Sequence, residues 1–115
     1  MMHHPQWWRP PSLRDFVVTE IVHSVADISY ARLPQRCAVL VQDGQRMKWV
    51  AFECPCKSGH RILVPVDPRS RPHWTVRALR PMTLFPSIDA KTDGRRCHYV
   101  IIRGRIVWVP PRKKR

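Results

Sequence analysis

Proline is the strongest constraint on this chain. Twelve prolines and four glycines break its 115 residues so often that short strands and turns are favoured over long helices. The apolar runs between the breaks agree. Phe16 to His23 is dense in β-branched residues and reads as a first strand. An amphipathic helix over Leu13 to Ile28 fits the same stretch, because period alone does not separate the two in a short run. Cys37 to Gln42, Asp43-Gly44 and Arg46 to Phe52 read as a β-hairpin with an Asp-Gly turn. Arg61 to Val66 is a third strand, in which Pro65 marks an edge position or a strand end. Trp74 to Leu79 alternates as a half-buried strand does. Leu84 to Ile88 then enters a polar loop, Asp89 to Arg96. Cys97 to Ile102, a turn at Arg103-Gly104 and Arg105 to Val109 form a closing hairpin. The fold class expected is mainly β, a small antiparallel meander with little helix.

The length suits one domain, placed at 14–110. Residues 1–13 form an irregular arm whose Trp7 and Trp8 pack against the domain, and 111–115 form a basic tail. Forty-three per cent hydrophobic residues exclude a disordered composition. A domain this small buries only about two-thirds of its unfolded surface, so a cross-link would add useful stability.

Lys and Arg number 21 against 8 Asp and Glu, a formal net charge of +13. Such a chain attracts polyanions, although the arginines are scattered and part of the charge serves only solvation. No apolar run approaches the ~20 residues of a membrane span. His3, His4, Pro5 and Arg9 interrupt any secretory hydrophobic region. A cytoplasmic location follows, where four cysteines meet a reducing milieu and serve for metal binding or burial.

Cys54-Pro55-Cys56 sits in a tight turn between two strands, with His60 just beyond. Zn2+ takes four thiolate or imidazole ligands in a tetrahedron, and a turn lets two near cysteines converge on it. Cys97 and His98 offer ligands from the last hairpin, but adjacent strand residues point to opposite faces, so both are not expected to bind. The set expected is Cys54, Cys56, Cys97 and either His60 or His98, which makes the sheet zinc-ribbon-like. Cys37 lies in an apolar strand and reads as a buried core residue. His3, His4, His23 and His73 have no ligand-like spacing.

Ser87 and His98 form a second constellation. A serine nucleophile needs a base within hydrogen-bond reach, and the intervening polar loop can bring the two together. No Gly-x-Ser-x-Gly elbow is present, and Asp89 and Asp93 are equivalent candidates for an acidic third member.

The ordered set Trp49, Phe52-x-Cys54-Pro55-Cys56, Gly59-His60, Trp74, Pro86-Ser87-Ile88, His98-Tyr99 and Gly104-x-Ile106-x-Trp108 resembles an uncharacterised bacterial family. Its members carry Cys-Pro-Cys-Gly-Cys-Gly, Pro-Ser-Ile, Cys-x-Ser-His-Phe and Gly-x-Val-x-Trp. They occur in mobile or antiphage-defence gene clusters beside ubiquitin-like proteins and E1- and E2-like enzymes. The resemblance implies a peptidase or accessory factor acting on the ubiquitin-like modifier, with Ser87 and His98 as the catalytic pair. The partners implied are that modifier or its conjugating enzymes. Here Ser58 replaces the family's third cysteine, Cys97 stands where the family has serine, and Arg95 where it has cysteine. Metal geometry must then differ, or His60 and Cys97 compensate. Two other functions fit the residues alone: a nucleic-acid-binding zinc protein using the basic surface and aromatics, and a scaffold in which zinc only holds the fold.

Overall fold

A computed structural model describes residues 10, 13–56, 59–92 and 95–110. The expectations for Trp7, Trp8 and the tail from residue 111 lie outside them. The fold is mainly β, and among the described residues helix is confined to short 3-10 turns such as Val25–Asp27. Among the described residues, no helix is long and apolar enough to cross a membrane.

Among the described residues, eight strands form two four-stranded sheets, each in sequence order. The first holds β1 (Val17–Val22), β2 (Cys37–Asp43), β3 (Arg46–Glu53) and β4 (Arg61–Pro65). The second holds β5 (Thr75–Leu79), β6 (Met82–Thr92), β7 (Arg95–Ile102) and β8 (Arg105–Trp108). The second sheet is an antiparallel meander throughout. In the first, β1 runs parallel to β2. A parallel pair needs a crossover connection, and residues 23–36 supply it.

That crossover explains why β2 is apolar at four consecutive positions. Ala38 and Leu40 face a core shared by the two sheets, with Phe16, Phe52, Leu84 and Tyr99. Val39 and Val41 face the other way and are covered by Ile28 and Leu33 of the crossover. A strand buried on both faces loses its alternation.

The polar loop expected at Asp89 to Arg96 is instead strand. β6 continues through Thr92 and β7 begins at Arg95, with Thr92 opposite Arg95 and Asp89 opposite His98. Asp89, Lys91 and Arg96 are exposed and alternate with Ile88, Ala90 and Cys97, which face the core. One wet face made a strand resemble a loop.

Two seams join the sheets. At one, Phe16 N–H donates to the Gly104 carbonyl (2.8 Å), Gly104 N–H to Met82 (2.7 Å) and Met82 N–H to Phe16 (2.8 Å). Gly104 has φ +81°, and a Cβ there would lie 2.6 Å from Asp15 Cβ, so no other residue fits without displacement. At the other seam, Trp74 N–H donates to the Pro65 carbonyl at 2.8 Å. Pro65 is both the last residue of β4 and part of an edge strand.

Candidate functional site

β6 carries a bulge at its middle. Leu84 pairs with Ile101 and Ile88 with Tyr99, so Phe85, Pro86 and Ser87 stand opposite Val100 alone. Bulges re-aim side chains and recur beside active sites. Beyond it the alternation resumes, with Ile88 inward and Ser87 and Asp89 outward. On β7, Cys97, Tyr99 and Ile101 point to the core, while Arg96 and His98 share the outer face with Ser87.

Ser87 Oγ lies 2.8 Å from His98 Nε2, both residues half-buried. Adjacent strands bring them together; no long loop is involved. Trp74 Nε1–H donates to the Ser87 carbonyl (3.2 Å), and Val109 N–H to the His98 carbonyl (2.9 Å). The backbones on both sides of the pair are therefore tied down. Asp89 is directly opposite His98, yet its carboxylate takes both prongs of Arg96, Nε at 2.7 Å and Nη2 at 2.6 Å. That bidentate bond holds Asp89 below the usual carboxylate range. Among the described residues, no carboxylate bonds to His98, and Asp93 lies outside them.

The inner face of the same strands holds the thiols. The ligand atoms of Cys54, Cys56, His60 and Cys97 all lie within 4.8 Å of one another, and these four residues can hold a metal ion. The β3–β4 turn makes this possible: Cys54 N–H donates to the His60 carbonyl (2.7 Å), and Gly59 N–H to Cys56 (3.2 Å). Gly59 has φ +62°, and a Cβ would collide with the Arg32 guanidinium. Cys56 Sγ and His60 Nδ1 are 3.5 Å apart. A tetrahedron with metal–sulfur bonds of ~2.3 Å and metal–nitrogen bonds of ~2.0 Å has edges of roughly 3.5–3.8 Å. With Nδ1 toward the thiols, His60 Nε2 is buried without a hydrogen-bond partner among the described residues. Cys54 Sγ also contacts the Tyr99 hydroxyl at 3.3 Å. Burial pushes the Cys54 thiol up and the Cys97 thiol up to about 12, and their mutual proximity adds to the rise of Cys97. Without a cation, three thiolates do not coexist in this space. The donor chemistry and spacing fit a tetrahedral ion.

Of the two histidines offered as fourth ligand, His60 is with the thiols and His98 is with Ser87. Cys37, read as core, is only half-buried at the start of β2 and is not part of the group. His23 is exposed, and His73 Nδ1 bonds the Ser70 carbonyl at 3.1 Å. Trp74, Tyr99 and Arg96 were not singled out as site residues. Tyr99 was legible, two residues beyond Cys97 and so on the same face. Nothing local to Trp74 signals its bond to a residue thirteen positions away.

A groove of about 390 Å³ runs between β4 and β6 from His60 of the thiol group to Trp74, whose indole bonds the Ser87 carbonyl; neither Ser87 nor His98 lines it. A cavity of about 780 Å³ lies beside the β2–β3 hairpin and is lined by no member of either group.

Residues 24–109, most of the chain, match the family model described as a bacterial ubiquitination-like system serine protease (BubE). The chain belongs to this family. No curated protein and no solved structure matches it. All six residues of the two groups fall inside the span matched by the BubE model.

Proposed function

We propose that this chain is a zinc-stabilised serine peptidase of a bacterial ubiquitin-like conjugation pathway, acting on the modifier or its conjugates in the cytoplasm. The observation that carries this is the 2.8 Å contact of Ser87 Oγ with His98 Nε2 on a BubE-family chain. With Nε2 as acceptor, His98 takes the hydroxyl proton as Ser87 Oγ attacks a peptide or ester carbonyl. The imidazolium then protonates the leaving amine or alcohol, which departs and leaves an acyl-serine. Water, deprotonated by His98, releases the acid and restores the hydroxyl. With Asp89 held by Arg96, the pair works as a dyad.

Cys54, Cys56, His60 and Cys97 would hold the zinc. Four protein donors leave it no open position, so its chemistry is charge neutralisation and cross-linking.

The test is cleavage of a fusion between a bacterial ubiquitin-like protein and a C-terminal reporter. Ser87→Ala should lower cleavage about a thousandfold or more and abolish labelling by a fluorophosphonate, with the fold retained. Wild-type rates in Ser87→Ala would sink the catalytic assignment. The net charge of +13 favours one further reading, a contact with nucleic acid. It requires affinity that falls steeply with salt and exceeds that of a simple basic peptide.

A further inference from the structure

The groove between β4 and β6 is bounded on both sides by strand edges that lack a partner among the described residues. Among the described residues, β4 pairs only with β3. β6 pairs with β5 through Met82–Phe85, so its second half has β7 alone as neighbour.

Hydrogen-bond parity shows which backbone groups face the gap. Val66 N–H donates to Lys48 and Cys54 N–H to His60, so in this ladder the even-numbered residues of β4 bond to β3. Arg61 and Leu63 therefore turn their N–H and C=O groups away from β3. The Trp74 bond to the Pro65 carbonyl, on the same parity, confirms that this is the groove side. On the opposite wall, the His98 carbonyl accepts from Val109, beyond β8, and so is not bonded to β6. Its partner Asp89, and Lys91 two residues on, then direct their backbone groups away from β7.

The walls run in opposite directions. β4 ends at Pro65, whose carbonyl accepts from Trp74; the Trp74 indole also bonds Ser87, from which the second half of β6 runs back toward His60. At the far end His60 meets Cys97, the cross-strand partner of Ala90. The groove is thus a slot between two open strand edges, stopped by Trp74 at one end and the thiol–histidine group at the other.

We propose that this slot takes a single extended polypeptide segment, which completes the sheet on both sides and leads past Trp74 toward Ser87, the residue bonded to Trp74 just beyond the groove. Such a segment would lie antiparallel to one wall and parallel to the other. An extended chain has donors and acceptors on both edges, whereas an edge strand of a second folded copy has one edge already paired. Only the former satisfies Arg61 and Leu63 together with Asp89 and Lys91. The proposal deepens the peptidase reading by naming where its substrate binds, and it rests on that reading for the identity of the peptide.

Leu63→Pro removes a donor aimed into the slot while sparing the β3–β4 ladder, as Pro65 already does two residues on. Lys91→Pro does the same on the other wall. The probe is a labelled decapeptide spanning the junction of the reporter fusion, titrated into the Ser87→Ala protein. Binding should slow amide exchange at Arg61, Leu63, Asp89 and Lys91, and either proline should weaken it at least tenfold with melting temperature retained. In the Ser87-intact protein, the prolines should lower kcat/KM for the fusion at least tenfold and leave labelling by the small fluorophosphonate within twofold. Peptide binding without protection at those four amides, unchanged affinity in both proline variants, or no binding at millimolar peptide would overturn the slot. Protection of the same amides in concentrated protein alone would assign it to a second copy and overturn it too. Protection in a protein whose Ser87→Ala form still cleaves would sink the serine mechanism and leave the slot standing.

Discussion

Cys97 and His98 are neighbours in sequence and belong to different chemistry, because a strand sends successive side chains to opposite faces. Cys97 is buried with two other thiols, and His98 faces out to Ser87. The next residue out on the adjacent strand, Asp89, is where a third member of a triad would sit. Its carboxylate instead spends both oxygens on Arg96. Catalysis should therefore depend on two residues. His98→Ala is expected to match the loss in Ser87→Ala, about a thousandfold or more, whereas Asp89→Asn should stay within about tenfold of wild type. Steady-state cleavage of the reporter fusion by the three variants decides this. A loss in Asp89→Asn as deep as that in His98→Ala would restore a triad.

The β3–β4 turn shows what one element contributes beyond its own residues. Glu53, 6 % exposed at the end of β3, accepts Leu33 N–H (3.2 Å) and two bonds from Arg61, whose other donors reach the Ser29 and Ala31 carbonyls. The arginine thus fastens the crossover to the turn that presents the thiols. Glu53→Ala leaves a guanidinium and an amide short of their acceptor. Arg61 keeps a 30 % exposed side chain, so the expected cost is about 2 kcal/mol, below that of a fully buried pair, and urea denaturation measures it. The loop after β4 is held in a related way. The buried Asp67 carboxylate accepts Arg69 N–H at 3.0 Å and lies 3.3 Å from Lys48 Nζ. The Arg69 bonds are the main reason its pKa falls well below the usual range. A depressed folded pKa means a contribution present above the ordinary carboxylate value, near pH 4, and lost as pH drops through the folded value. Asp67→Asn should therefore lower stability at neutral pH and flatten its fall below about pH 4. A parallel fall in both proteins would remove Asp67 from the acid limb. Most strands were legible in the sequence because each carries its own alternation or β-branched run; β6 and the start of β7 were not, since the polar outer residues of Asp89 to Arg96 read as a loop. The Cys-Pro-Cys turn was legible because proline and glycine punctuate it. The parallel β1–β2 pairing was not, since period constrains faces and not direction. Nor was the bulge at Phe85–Ser87, which exists only relative to β7.

At the scale of the whole molecule, two sheets of four short strands share one modest core, and the thiol–histidine group spans them. Cys54, Cys56 and His60 come from the first sheet's β3–β4 turn, Cys97 from the second sheet's β7. An ion there would bind the folded chain far better than the unfolded one. Occupied at a thousandfold above its dissociation constant, it adds about 4 kcal/mol. For a domain of this size that is roughly 15 °C or more in melting temperature. Because Cys97 and His98 are adjacent on β7, loosening the ion should also release the strand that carries His98, the proposed base. Elemental analysis of purified protein is expected to give about one zinc per chain, lost in Cys54→Ser and in Cys97→Ser. A chelator should lower the melting temperature and the Ser87 labelling rate together, and added zinc should restore both. A chelated protein that melts lower yet labels at the wild-type rate would confine the metal to stability. One that holds its melting temperature would leave the four residues as a buried thiol cluster with no ion to cross-link the sheets.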